Sequence, residues 1–145
     1  MDPVFTPEIM DCIAGIESSW NPNAESKTKT YKGLYSISAG TWKDSGTGYA
    51  YKTYINNITV STSVAVAELY QKLKYEFGGG SQGIRAYYEQ LQEGFTSAQV
   101  RTAIANFGEG NPLYAQDVMN CAGEMQAGNY KAAQGYIDDY HANRP

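Results

Sequence analysis

The sequence predicts a mainly α-helical fold: one domain over residues 1–145, about six to seven helices, and an irregular region at 21–60 with room for a small hairpin. Three observations predict it. Apolar residues recur at three- and four-residue spacing through most of the chain, the period of a helix with one buried face. Capping residues open these stripes, and glycines close them. No repeat, low-complexity tract or linker divides the 145 residues, a length suited to one core.

The elements follow in order. Thr6-Pro7-Glu8 reads as a helix start: Thr caps, Pro suits the first helical position, and Glu suits the positive helix end. Ile9, Ile13 and Ile16 form a core-facing stripe that runs into Glu17. Asn21-Pro22-Asn23 is a turn, Lys27 to Thr30 is a polar loop, and Tyr31 to Ile37 alternates weakly. Ser38 to Asp44 reads as a short helix, closed by Ser45-Gly46. A longer helix is expected near 61–77 with Val64, Ala67, Leu69, Tyr70, Leu73 and Phe77 as its apolar face, ended by Gly78-Gly79-Gly80. Another, near 82–92, carries Ile84, Tyr87, Tyr88 and Leu91. Thr96-Ser-Ala-Gln99 is a capping box for a helix near 97–106. Asn111-Pro112 caps the next, and a last helix near 130–141 uses Ala132, Ala133, Tyr136, Ile137 and Tyr140 before a frayed Arg144-Pro145 end.

Composition excludes several functions. The net charge is −4 and the 11 Lys and Arg are scattered singly, so there is no basic footprint for nucleic acid. No apolar run is long enough to span a membrane, and Met1-Asp-Pro-Val-Phe lacks the basic start of a signal peptide. The expectation is a chain made soluble and acting as a monomer. The single His, His141, argues against Ser-His-Asp or Cys-His chemistry. No phosphate loop and no metal-ligand spacing is present, so neither metal nor cofactor is expected. Cys12 and Cys121 are either two buried thiols or one disulfide between an early and a late helix. Thirteen Tyr against four Phe offer flat faces with polar tips, suited to sugar rings or to a half-buried shell.

Carboxylates remain. Protonating a leaving group near neutral pH needs an acid whose ionised form is penalised, and burial at the end of an apolar helix achieves that. Glu17 sits at such an end, with helix-breaking Asn21-Pro22 four residues on. Position alone favours an ordinary solvated helix-end residue.

The surroundings of Glu17 resemble a family. Glu17-Ser18-Ser-Trp20-Asn-Pro-Asn-Ala24-Glu-Ser26 resembles the opening motif of soluble lytic transglycosylases, lysozyme-like enzymes that cut the glycan of bacterial peptidoglycan. Gly33-Leu-Tyr35-Ser36-Ile-Ser-Ala-Gly-Thr41-Trp42 resembles their Gly-Leu-Met/Tyr-Gln segment. Ile104-Ala105-Asn106-Phe-Gly108-Glu109-Gly110 resembles their Ala-Tyr-Asn-x-Gly loop, and Tyr114-Ala-Gln-Asp-Val118 a following Tyr-Ala-x-x-Val segment. The likeness covers most of residues 8–119, with an extra helix inserted at 80–96. Ser36 stands for the family's Gln and Ala105 for its Tyr; Tyr35, Tyr51 or Tyr114 would supply the missing hydroxyl.

The resemblance implies a lysozyme-like fold and cleavage between N-acetylmuramic acid and N-acetylglucosamine, with Glu17 as general acid and then base. Ser18, Tyr35, Ser36, Asn106, Glu109 and Tyr114 are the expected substrate-binding residues. A transglycosylase would close the muramic 6-hydroxyl into a 1,6-anhydro product without a second carboxylate. A goose-type lysozyme would add one to place a water, and Glu25, Asp44 and Glu109 are the candidates. Trp42 is read as core. The alternative is a non-catalytic module that keeps the fold and binds glycan or a partner. The expected setting is the periplasm or cell wall, reached through phage lysis or a secretion machine; a secreted effector would have a cognate inhibitor protein.

Overall fold

Helix α1 (Pro7–Ser18) is the centre of the molecule, and the reason is compositional. Ile9, Met10, Cys12, Ile13, Ala14, Gly15 and Ile16 are all buried, which leaves Glu8, Asp11, Glu17 and Ser18 as its polar side chains. The architecture is that of a computed structural model describing residues 3–143. The fraying read for Arg144-Pro145 falls outside the described residues.

The described residues hold eight helices and no strand. After α1 come α2 (Ala39–Asp44), α3 (Tyr51–Tyr54), α4 (Ile58–Tyr75), α5 (Gly80–Glu93), α6 (Ser97–Phe107), α7 (Pro112–Gln126) and α8 (Tyr130–Ala142). The mainly α expectation stands, with one helix beyond the expected count. The addition is α3, a single turn inside the segment read as irregular. A hairpin would need paired strands there; the loop makes only two isolated antiparallel bridges, Glu25 with Lys32 and Lys32 with Ile37.

Caps set the helix starts. The Thr6 hydroxyl accepts from Ile9 N at 3.2 Å, and Pro7 fills the first turn. Thr96 and Gln99 make both reciprocal bonds of the capping box, at 2.8 and 3.1 Å. Helix α4 begins at Ile58, earlier than its apolar stripe suggests, because Asn57 Oδ1 accepts from Val60 N at 2.9 Å.

Helix α1 packs on α7 and α8, while α4 packs on α6 and α6 on α7. Cys12 and Cys121 form a disulfide between α1 and α7, with Cα atoms 6.1 Å apart. Trp42 is core, as read, and its indole N–H donates to Tyr49 O at 2.7 Å. Helix α5 departs from its reading. Only Gly83 and Tyr87 are buried, while Ile84 and Tyr88 face outward, because this helix touches little besides α4.

The exit from α1 is sharp. Ser19 and Trp20 both adopt the left-handed region, φ 52° and 61°, and their N–H groups return to Gly15 O and Ala14 O. The Trp20 indole folds back over Gly15, where an added Cβ would lie 2.6 Å from the ring. Its N–H donates to Asp11 Oδ1 at 2.7 Å.

Candidate functional site

Two concavities open on the surface, and they share no lining residue. One, of about 610 Å³, is apolar and lined by Phe5, Met10, Trp20, Leu34, Tyr35 and Val66, among others. Its one acid, Asp11, is engaged by the Trp20 indole. The other is a polar cleft of about 570 Å³, and Glu17 lies on its wall.

Seven parts of the chain build the cleft. Glu17 comes from the end of α1; Ser26, Tyr31, Ser36, Ile37 and Ser38 come from the irregular loop, with Thr41 on α2. Glu68 and Lys72 face it from α4. Asn106, Phe107, Gly108, Glu109 and Asn111 come from the end of α6 and its following loop, and Tyr114 and Tyr140 from α7 and α8.

Glu17 is half-buried and held at both ends. The Tyr114 hydroxyl donates to its Oε2 at 3.0 Å. Tyr114 is only 2 % exposed, and burial first, then the Glu17 carboxylate, hold its phenol pKa well above 10. It therefore stays a proton-bearing donor at any physiological pH. The Glu17 backbone carbonyl accepts from Ser36 Oγ at 3.0 Å, and the preceding carbonyl, Ile16 O, lies 2.9 Å from His141 Nε2. These links satisfy carbonyls that a helix end leaves without partners.

The expected site residues divide. Glu17, Ser36, Asn106, Glu109 and Tyr114 are brought to one cleft. Of the three tyrosines that could supply the hydroxyl missing at Ala105, Tyr114 is the one on Glu17. Tyr51 donates to Ile37 O at 2.8 Å. Tyr35 is not a cleft residue: it is 4 % exposed, bonds Thr62 through its hydroxyl at 3.0 Å, and belongs to the apolar groove. Ser18 is also not a cleft residue. Its hydroxyl spans Leu34 O at 2.7 Å and Ala14 O at 3.2 Å, which ties the irregular loop to α1.

Gly33 and Gly108 serve packing. A Cβ on Gly33 would sit 2.5 Å from Ile55 O, and one on Gly108 would sit 2.5 Å from Tyr114 Cδ1. Gly108 is thus the space that admits the Tyr114 ring. Gly108→Ala should cost roughly 1–3 kcal/mol through overpacking against the Tyr114 ring. Urea midpoints check this, and a variant as stable as wild type would mean that the Tyr114 ring does not need the space at Gly108.

The residue that sequence reasoning passed over is Glu68. It is 1 % exposed on the buried face of α4, and Oε2 has no hydrogen-bond partner. Lys72 Nζ lies 3.5 Å from Oε1. Burial, reinforced by the neighbouring Asp44 carboxyl, pushes Glu68 from 4.5 up to about 7. Asp44 is near enough to share a proton with it; when both are ionised, each is only an acceptor, and Oε2 is left alone. A signal was in the sequence: Glu68 falls four residues after Val64, three after Ala65 and one before Leu69, on a face otherwise apolar.

A raised carboxyl pKa has a stability consequence whose sign is definite. Between pH 4.5 and about 7 the folded chain holds a proton on Glu68 that the unfolded chain has lost. Stability therefore falls as pH rises through that window, by about 3 kcal/mol for a shift of this size. Glu68→Gln should be more stable than wild type by about 1–3 kcal/mol at pH 8 and nearly equal to it at pH 4. Urea midpoints at the two pH values measure this. A residual slope will remain from Glu76 and Asp117, both raised by burial.

No group of three or more His, Cys, Asp or Glu among the described residues is arranged to hold a metal ion. The cleft offers acid–base chemistry from Glu17 and Glu68, one cation from Lys72, and aromatic faces from Tyr31, Phe107 and Tyr140. No family model matches the chain, and no curated protein or solved structure matches it either.

Proposed function

We propose that this chain is a peptidoglycan-cleaving glycosidase that cuts between N-acetylmuramic acid and N-acetylglucosamine, with Glu17 as the general acid. The observation that carries the reading is the pairing of Glu17 with a buried, permanently protonated Tyr114 on the wall of a polar cleft. A donor fixed on one carboxylate oxygen orients the acid, and orientation is a large part of what a glycosidase supplies. The motif likeness around Glu17, Ser36, Asn106 and Tyr114 supplies the substrate class, and Tyr31 and Phe107 supply faces for sugar rings.

In the first step the Glu17 proton passes to the glycosidic oxygen as the bond from that oxygen to the anomeric carbon breaks. The Glu17 carboxylate that results is stabilised by the Tyr114 hydroxyl. The place of action is the cell wall or periplasm, reached by phage lysis or secretion.

Purified sacculi test the reading. Muropeptide release by the wild type and none by Glu17→Gln is the expected result; equal release by both overturns it. A second reading, a module that binds glycan or a partner without cutting it, draws on Ser36 and Ala105, where the family carries Gln and Tyr. It predicts sacculus binding with no release by the wild type.

A further inference from the structure

We propose that Glu68 is the second carboxyl of the reaction: it takes a proton from the water that attacks the anomeric carbon, which makes the enzyme a hydrolase rather than an anhydro-forming one. The inference rests on the reading of Glu17 as the acid. The sequence points to Glu25, Asp44 and Glu109 for this role, and the structure favours none of them. Glu25 pairs with Lys29 at 4.0 Å and does not line the cleft. Asp44 is likewise off the cleft lining and accepts both bonds of the Tyr75 hydroxyl, at 3.0 and 3.1 Å. Glu109 lines the cleft but is exposed at the tip of a loop.

Glu68 alone of these acids both lines the cleft and is buried. It enters the same cleft as Glu17 from a different helix, in the middle of α4, where the backbone is rigid. Its carboxyl is out of bulk water, and while Glu68 and Asp44 are both ionised Oε2 is a buried acceptor with no donor. An unpartnered buried acceptor costs stability unless a ligand satisfies it. A water donating to that oxygen would do so. The side chain over it is Lys72, 27 % exposed, on a flexible four-carbon stem that can yield to a bound glycan. Asp44 and Lys72 flank Glu68 with opposite charges, and burial with Asp44 sets its proton affinity near neutrality, where a general base works best.

The step balances without further reactants. The water O–H bond breaks and its proton goes to Glu68; the water oxygen bonds the anomeric carbon. The carbon–oxygen bond to the leaving sugar breaks, and that oxygen takes the Glu17 proton. Direct displacement of this kind inverts the anomeric centre.

Products from sacculi and from short glycan chains, read by mass spectrometry and by NMR of the new anomer, test the assignment. Wild-type enzyme should yield inverted reducing ends. Glu68→Gln should lose about 10²-fold or more of that turnover while melting no lower than wild type. Glu68→Ala supplied with sodium azide should form a glycosyl azide, because an anionic nucleophile needs no base. Products with 1,6-anhydro ends, or a Glu68→Gln variant turning over like wild type, defeat the Glu68 role while leaving the Glu17 reading intact. Folded Glu68→Ala without azide adducts likewise defeats it. Absence of any Glu17-dependent cleavage defeats both.

Discussion

Glu17→Gln is expected to lower glycan cleavage by roughly 10²–10⁴-fold, the usual worth of a positioned general acid. The substitution keeps the shape and removes only the transferable proton. The Tyr114 hydroxyl, now 3.0 Å from Glu17 Oε2, can donate to the amide oxygen instead. The fold should therefore change in stability by less than about 1 kcal/mol, since one neutral hydrogen bond replaces a stronger one. Muropeptide release and a urea melt, measured on the same preparation, separate the two effects. A large activity loss with an unchanged melt is the signature of a proton donor. A parallel loss of both would instead make Glu17 a structural residue at the end of α1. Tyr114→Phe extends the test: it keeps the ring that fills the space above Gly108 and removes only the hydroxyl.

Opening the Cys12–Cys121 disulfide is expected to have the largest effect on stability. The bridge links positions 109 apart, between the helix at the centre of the core and α7. Cross-linking a loop of about 100 residues restricts the unfolded chain by about 4.7 kcal/mol in the chain-entropy account. That is a large share of the 5–15 kcal/mol typical of a folded domain. Reductant, or a Cys12→Ser/Cys121→Ser double variant, should lower the urea midpoint accordingly. A loss below about 1 kcal/mol would mean that the unfolded chain stays compact without the bridge. Both sulfurs are wholly buried in the core, so the double variant also places two hydroxyls among apolar neighbours. Comparing it with a reduced wild type isolates that contribution.

What could be read from the chain beforehand divides along physical lines. Local signals were legible. The Thr6 and Thr96 caps, the Pro residues opening α1 and α7, and the glycines that close helices act within a turn of where they stand. The Glu17 position and the grouping of Ser36, Asn106 and Tyr114 about it were legible through motif likeness. Side-chain destinations in the irregular loop were not. Ser18 and Tyr35 flank the motifs in sequence, yet the left-handed turn at Ser19 and Trp20 and the strained Ser36, φ 49°, set neighbouring residues on different faces. Glu68 went unseen for a different reason. A face drawn through Val64, Ala67, Leu69, Tyr70, Leu73 and Phe77 shares Val64, Leu69 and Leu73 with the buried side of α4 but leaves out Ser61, Ala65 and Glu68. An acid inside an apolar stripe announces itself only when the stripe is drawn at its true angle.

The way Glu17 is held has a consequence for the birth of the protein. Its helix is made before every one of its supports, which lie far along the sequence. Tyr114 is 97 residues away, the cystine partner of α1 is 109 residues away, and the His141 contact spans 125. Contacts of such long range form late, after the closure entropy of the intervening chain has been overcome. A nascent chain stopped before α8 has its acid without the neighbours that aim it. A ribosome-bound fragment ending before residue 112 would therefore carry Glu17 without Tyr114, its disulfide or the α8 contact.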